Sequence, residues 1–155
     1  MRVPLSHVRR IFEPCATIGL DWPRVQGAEM IVHEALKERK AWKLVWHVDE
    51  KAEAHWGDGR QLDLETVVKD FLKLGLARQD KILAIARSYK GEKRPSVLPV
   101  LTYRIEKGRR IVLDGCHRLV ALAWSGAPFR IVEYQLRGPL KSHVLKDLWE
   151  HEEKR

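Results

Sequence analysis

The spacing of apolar positions predicts that helices alternate with strands along this chain. Apolar residues recur at helical spacing among Glu, Lys and Arg, which predicts a helix over Gln26–Lys40. Large apolar side chains then alternate along Trp42–Val48, which predicts a strand. The segment Gly57-Asp58-Gly59 predicts a turn. The region before the first helix is interrupted by prolines and shows little periodicity, so no element is predicted there.

Two further helices are placed by residues that suit helix ends. Asp63 is a candidate N-cap for a helix that runs through Leu74, and Gly75 is expected to stop that helix. Asp80 is the candidate N-cap of the next helix, predicted over Lys81–Tyr89.

The C-terminal half has the clearest alternation of strands, turns and helices. A hairpin turn at Lys107-Gly108 and a sharp turn at Asp114-Gly115 separate its first elements. The predicted elements are strands over Val97–Ile105, Arg109–Leu113 and Phe129–Leu136, a helix over Cys116–Trp124, and a last helix from about Pro139 to His151. Helices that alternate with short strands predict an α+β fold with a small mixed β-sheet flanked by helices.

Composition is that of an ordinary globular domain. The chain has 155 residues, of which 45% are hydrophobic and 32% charged, so residues 1–155 are expected to form a single domain. No apolar run is long enough for a membrane span or a secretory signal. Two cysteines are too few for a disulfide framework, so we expect a cytoplasmic protein with reduced thiols and no membrane partner.

Positive charge is concentrated in one segment. The formal net charge is +8, and the window Lys73–Arg118 holds the whole excess. Such a concentration favours an anionic partner, either the phosphates of a small ligand or a nucleic acid, although a solubilising surface has the same composition. Trp42 and Trp46 occupy alternate positions of their predicted strand, which favours core packing over base stacking.

Candidate chemistry lies at the turn from the predicted strand into the helix that begins at Cys116. Gly115 permits close backbone approach, and the first-turn N–H groups of a helix lack intrahelical partners. His117 and Arg118 fall in that turn, where two cations oppose the helix dipole unless an anion compensates. The pattern predicts an anion cradle. Asp114 could cap the helix, accept a proton from a hydroxyl, or hold a metal ion, and Cys116 could simply be a small buried residue.

The sequence Asp-Gly-Cys-His-Arg at 114–118 resembles the ParB/sulfiredoxin superfamily. Sulfiredoxins carry Gly-Gly-Cys-His-Arg at this turn, the related free-serine kinases carry Asp-Gly-x-His-Arg, and ParB domains carry Gly-x-x-Arg-x-x-Ala. The resemblance covers residues 80–136 and implies a ParB/sulfiredoxin-like core there. Residues 1–75 are then an N-terminal elaboration of unknown role.

The resemblance implies a nucleotide whose phosphates bind at Gly115, Cys116, His117 and Arg118. By analogy with the kinases, Asp114 acts on a substrate hydroxyl. By analogy with sulfiredoxins, Cys116 is a nucleophile whose thiol pKa the helix N-terminus and its two cations would lower.

Three functions follow from these observations. The leading one is an ATP-dependent phosphotransferase (a kinase) that acts on a small hydroxyl substrate, using ATP or another nucleoside triphosphate and Mg²⁺. Asp114 would be its base or metal ligand, and His117 and Arg118 would stabilise the transferred phosphoryl group. The second is a ParB-type DNA-binding or nucleotide-switch module whose basic contacts are Lys90, Lys93, Arg94, Arg109 and Arg110. The third is a sulfinic acid reductase that uses Cys116.

Overall fold

A mixed β-sheet with helices on both faces forms the centre of the protein. The computed structural model describes residues 1–12, 20–47, 61–89, 96–106 and 108–140. The strands are β1 (Arg2–Val3), β2 (Gly27–His33), β3 (Trp42–His47), β4 (Gln61–Asp63), β5 (Ser96–Glu106), β6 (Arg109–Asp114) and β7 (Phe129–Arg137). The α-helices are α1 (Leu5–Phe12), α2 (Leu64–Lys69), α3 (Leu76–Ser88) and α4 (Cys116–Ser125). The predicted α+β class with a mixed sheet is therefore confirmed.

All these strands belong to one sheet, in the order β1-β2-β7-β5-β6-β3-β4. The pairs β5–β7 and β3–β6 are parallel, and the other neighbouring pairs are antiparallel. Strands from before residue 64 lie on both sides of the C-terminal strands, so residues far apart in sequence complete the same sheet.

Each face of the sheet carries its own hydrophobic cluster. Along β6 the side chains alternate, since Val112 belongs to one cluster while Ile111 and Leu113 belong to the other. The first cluster includes residues of α2, α3 and α4, and the second includes Val8 and Phe12 of α1. Burial of β6 on both faces fixes its register and therefore the position of its last residue, Asp114.

The strands and the helix of the C-terminal half lie where the sequence predicts them. β5, β6, α4 and β7 match the predicted elements to within a few residues at each end. Gly108 and Gly126 have positive φ values of 72° and 68°, which explains why glycines close the hairpin and end α4. The strand predicted from Trp42 is confirmed as β3, and Trp42 is buried in the core. The Asp63 carboxylate accepts the Thr66 N–H at 2.8 Å, which confirms Asp63 as an N-cap.

The predicted helix over Gln26–Lys40 is wrong, because this segment contains β2. Residues of β2 pair along their whole length with β7, about one hundred positions later in the chain. Ala28 and Met30 pack on one face of the sheet, so the apolar positions that fit a helical period also satisfy a strand. Pairing with β7 therefore determines that this segment is a strand and not a helix.

The two predicted helices that follow also need correction. The first ends at Lys69 rather than Leu74, and α3 begins at Leu76, so Gly75 precedes a helix instead of stopping one. Asp80 lies inside α3 and does not cap it. The reason is Gln79, whose buried side-chain amide donates to the carbonyls of Leu72 and Leu74 at 3.1 and 2.6 Å and thereby ties α3 to the preceding turn.

Helix α1 was not predicted, although Leu5, Val8 and Phe12 have helical spacing and Val8 and Phe12 are buried. The turn predicted at 57–59 and the last helix predicted beyond Leu140 lie outside the described residues. In the part of the chain that the structure describes, no helix is long and apolar enough to cross a membrane.

Candidate functional site

The turn between β6 and α4 requires a glycine. Gly115 has a φ of +98°, a value that side-chain-bearing residues rarely adopt, and an added Cβ would lie 3.0 Å from Val100 Cγ1. The Gly115 carbonyl accepts the Leu119 N–H at 2.8 Å, so α4 begins directly after the turn. The positive φ and the close packing against Val100 explain why this position is a glycine.

The first turn of α4 carries the positive end of the helix dipole. Its N-cap is Gly115, which has no side chain to accept a first-turn N–H, and the first turn holds no acidic residue. The dipole at this helix start is therefore not offset by an acidic side chain of the first turn itself.

Asp114 is half-buried at the end of β6, directly before this turn. Burial raises the pKa of its carboxyl, while the Arg118 guanidinium and the Gly115 N–H act in the opposite direction and only partly offset it. Its Oδ2 is buried and has no hydrogen-bond partner among the described residues. A buried carboxylate oxygen without a donor disfavours the charged form, in agreement with the raised pKa of this carboxyl.

The side chain of Cys116 is buried in the hydrophobic core at the start of α4 and is not exposed at the turn. Its Sγ lies 3.4 Å from the Val112 carbonyl, and burial raises the pKa of the thiol to about 12. The expectation that the helix N-terminus would lower this pKa is therefore wrong. Loss of water from the buried thiolate outweighs the attraction of the nearby dipole and cations.

His117 is not the second cation that the motif suggested. Burial, followed by the charges of Lys81 and Arg78, lowers its pKa to about 4, so the imidazole is neutral at pH 7. A neutral imidazole offers one N–H donor and one acceptor nitrogen. Positive charge at the start of α4 therefore comes from Arg118, supplemented by Arg78 and Lys81.

Arg78 and Lys81 were missed as site residues in the sequence. They lie three positions apart on α3, where side chains share a helix face, and both act on His117. Their helical spacing is the signal in the sequence that could have identified them. The packing of α3 against α4, rather than any motif, places their charges near the first turn of α4.

Of the basic residues predicted to contact a nucleic acid, the two that the structure describes, Arg109 and Arg110, do not lie on one surface. Arg109 is exposed on β6, whereas the neighbouring Arg110 is turned inward, with 14% of its side chain exposed, and pairs with the buried Glu133 at 3.3 Å. The alternation of side chains along a strand separates them. Lys90, Lys93 and Arg94 lie outside the described residues.

Side chains that could bind a metal ion are few in the described part of the chain. The described residues contain no group of three or more His, Cys, Asp or Glu side chains that could hold a metal ion. Mg²⁺ is commonly held by one or two carboxylates together with water and substrate phosphates, and among the described residues Asp114 is the carboxylate that lies at this turn.

Comparison with protein-family models, with curated proteins and with solved structures found no match to this chain. The resemblance to the ParB/sulfiredoxin superfamily thus rests on the motif at 114–118 and on the order of the elements around it.

Proposed function

We propose that the protein is a nucleotide-dependent phosphotransferase whose phosphate site is the first turn of α4. The observation that carries the proposal is Asp114, a half-buried carboxylate with an unmet Oδ2 beside Arg118 and the uncapped helix N-terminus. A proton acceptor and an anion cradle at one turn are the two parts that transfer of a phosphoryl group to a hydroxyl requires. The sequence β5, β6, α4 and β7 also supports a ParB/sulfiredoxin-like core as part of this proposal.

Phosphate binding is assigned to backbone and cationic groups. The N–H groups that follow Gly115 would donate to phosphate oxygens, which approach closely because the glycine has no side chain. Arg118 would donate charge-assisted hydrogen bonds, and Arg78 and Lys81 would add positive potential from α3. His117, being neutral, would contribute one hydrogen bond rather than charge.

Asp114 is assigned the role of base. The proton of the substrate hydroxyl passes to the Asp114 carboxylate, the hydroxyl oxygen bonds to the γ-phosphorus of the nucleotide, and the bond to the β-phosphate oxygen breaks to release the diphosphate. A raised carboxyl pKa suits this task, because it brings the proton affinity of the base closer to that of the group it serves. Mg²⁺, with Asp114 as its protein ligand, would supply charge compensation on the phosphates.

The experiment compares two neighbouring substitutions. Nucleoside triphosphates are titrated calorimetrically with and without Mg²⁺, and release of the diphosphate is followed with a panel of small alcohols and hydroxy compounds. Asp114→Asn is expected to abolish phosphoryl transfer and retain nucleotide binding, whereas Cys116→Ser retains both. Loss of turnover in Cys116→Ser alone would instead support the sulfinic acid reductase, and absence of nucleotide binding would overturn the proposal.

The DNA-binding alternative is separated by its salt dependence. A protein that neutralises several phosphates of duplex DNA loses affinity steeply with salt, with a slope of about 0.9 in log Kd per phosphate contacted. A protein with a single phosphate site, at the first turn of α4, contacts few DNA phosphates. It should therefore bind duplex DNA only weakly at physiological salt. Tight binding there that is lost on charge reversal at Lys90, Lys93 and Arg94 would replace the kinase proposal with the ParB-type module.

A further inference from the structure

A second polar cluster surrounds Glu133 in the middle of β7. Glu133 is fully buried, yet its carboxylate is hydrogen-bonded or ion-paired with the side chains of four residues. The distances are 2.9 Å to His33 Nε2, 2.7 Å to Thr102 Oγ1, 3.3 Å to Arg110 Nη1 and 3.4 Å to Gln135 Nε2. A buried charge with so complete a set of donors orients the groups that donate to it.

Curvature of the sheet brings this cluster together. β2 and β3 are separated in the sheet order by β7, β5 and β6, yet the rings of His33 and Trp42 lie only 5.2 Å apart, edge to face. The guanidinium of Arg110 lies 4.5 Å from the centre of the Trp42 ring. Strand twist accumulates across a sheet and allows such an approach between strands that are not neighbours.

The cluster opens into a cavity of about 390 Å³. Its walls include His33, Trp42, Arg110 and residues of the loop between β2 and β3, among them Lys37 and Glu38. Glu133 lies behind His33 and Arg110 and is not itself part of the wall. This volume is within the range of small-molecule sites, and its polar groups are held in place from behind.

Two features of the cavity wall favour a small anion. The cationic groups Lys37 and Arg110 line the cavity, while one of its acids, Glu34, is already paired with Arg130 at 3.0 Å. The Arg110 guanidinium has five N–H donors and meets Glu133 through Nη1 and the Gly108 carbonyl through Nη2, at 3.3 Å each, so it retains donors for a ligand. The remaining acid, Glu38, disfavours a doubly charged ligand more than a singly charged one.

The loop at the cavity also holds backbone strain. Glu38 has a φ of 53°, and in the described chain it is the one residue other than glycine with a positive φ. Such a conformation persists only where surrounding contacts enforce it, and it is enriched at ligand sites.

We propose that the His33–Arg110–Trp42 cavity is a binding site for a small monoanionic carboxylic acid. The ligand carboxylate would bind Arg110 and Lys37, and His33 would be held in place by Glu133. Because a carboxylate only accepts hydrogen bonds, Nε2 of His33 carries the proton toward Glu133. In this tautomer Nδ1 is an acceptor, so His33 lines the site without donating to the ligand carboxylate, and the donors are Arg110 and Lys37. This site does not rest on the phosphotransferase proposal, since it uses none of the residues at the start of α4.

The probe is acetate, with its neutral isostere acetamide as the control ligand. Acetate is titrated at constant ionic strength against chloride while the NMR signals of the Trp42 indole N–H and the His33 ring are recorded. A saturable shift at both residues with a millimolar Kd is expected, as for other ligands of this size. Acetamide is expected to give no saturable shift. Equal responses to acetate and acetamide, or no saturation with acetate, would overturn the proposal.

Substitutions then locate the binding group. Arg110→Lys keeps the charge but removes the planar fork, and it is expected to weaken acetate binding about tenfold. Arg109→Lys, the adjacent and exposed residue, serves as the matched control and should leave the Kd within about twofold. Lys37→Gln, at an exposed position that cannot disturb the core, should weaken binding several-fold even if Arg110→Lys fails to fold. Equal effects of the substitutions at 109 and 110, unchanged affinity in Lys37→Gln, or tighter binding of phosphate than of acetate would each contradict the assignment.

Discussion

β6 connects two regions in which a carboxylate has opposite surroundings. Near its start, Arg110 meets Glu133, which is fully buried and satisfied by several donors. At its end, about 13 Å further along the strand, Asp114 is half-buried and keeps one oxygen unmet. The first carboxylate orients its neighbours, whereas the second has a raised pKa because its desolvation is only partly offset by Arg118 and the Gly115 N–H. The two carboxylates therefore differ in how completely they are paired, and not only in how deeply they are buried.

The largest loss of stability is expected from a substitution of Glu133, in the first of these regions. Glu133→Gln leaves the buried Arg110 charge without its partner and should lower the free energy of unfolding by about 3–5 kcal/mol, measured by urea denaturation.

Asp114→Asn provides the contrast with that result. A carboxyl whose pKa is raised on folding contributes stability below its ordinary pKa, and this is lost as the pH rises through the raised value. At neutral pH the substitution should therefore leave stability unchanged or increase it. Equal losses in the two variants would contradict the distinction drawn between the carboxylates.

Arg118→Ala tests the second region through ligand affinity. Loss of a charge-assisted hydrogen bond to phosphate should weaken nucleotide binding by about tenfold to a hundredfold in a calorimetric titration. Arg87→Ala, an equal change of charge in the last turn of α3, should have little effect. Similar losses in both would mean that the general positive potential, rather than the cradle, binds the nucleotide.

His117 should make stability sensitive to acid. Its pKa is 6.5 in the ordinary case and about 4 in the folded protein, so the unfolded chain takes up the proton first. Stability conferred by the neutral ring is complete above pH 6.5 and is lost as the pH falls toward 4.

The loss at His117 should be about 2 kcal/mol once its partial exposure is allowed for. Thermal unfolding of the wild type and His117→Gln across this range measures it, and the difference between the two proteins should shrink on acidification. A difference that stays constant with pH would show that His117 does not titrate as described.

Two glycine substitutions sharpen the description of the turn. Gly115→Ala combines a positive φ with a close approach to Val100 Cγ1, and it should cost about 2 kcal/mol of unfolding free energy. Gly126→Ala has a positive φ but open space around the added carbon, and it should cost about 1 kcal/mol. The difference between the two losses of unfolding free energy measures the cost of the contact with Val100 Cγ1. Equal losses in the two variants would mean that the turn at Gly115 shifts to accommodate the added carbon.

Local signals were sufficient for the turn and its surroundings. Alternating apolar positions, the Lys107-Gly108 and Asp114-Gly115 turns and the glycine after α4 predicted β5, β6, α4 and β7, because each signal acts within a few residues. The same reasoning predicted Asp63 as an N-cap, since its partner Thr66 is only three positions away.

Failures occurred where distant residues decide the outcome. The segment of β2 fits a helical period, and only pairing with β7 makes it a strand. Glu133 was overlooked because a single acid in an apolar strand gives no local sign of its four donors, which come from other strands and from its own. Arg78 and Lys81 were overlooked because their helix, not their motif, brings them to His117.

The sequence by itself determined the elements around residue 115, the need for a glycine there and the set of side chains in the motif. Tertiary structure decided their chemical states. Desolvation raises the pKa of Cys116 and lowers that of His117, opposite to what a motif of thiol and cations suggests, because the cost of burying charge depends on packing from elsewhere in the chain. Tertiary structure also created the Glu133 cluster, since the pairing of β2 with β7 places His33 and Glu133, one hundred positions apart, within hydrogen-bonding distance.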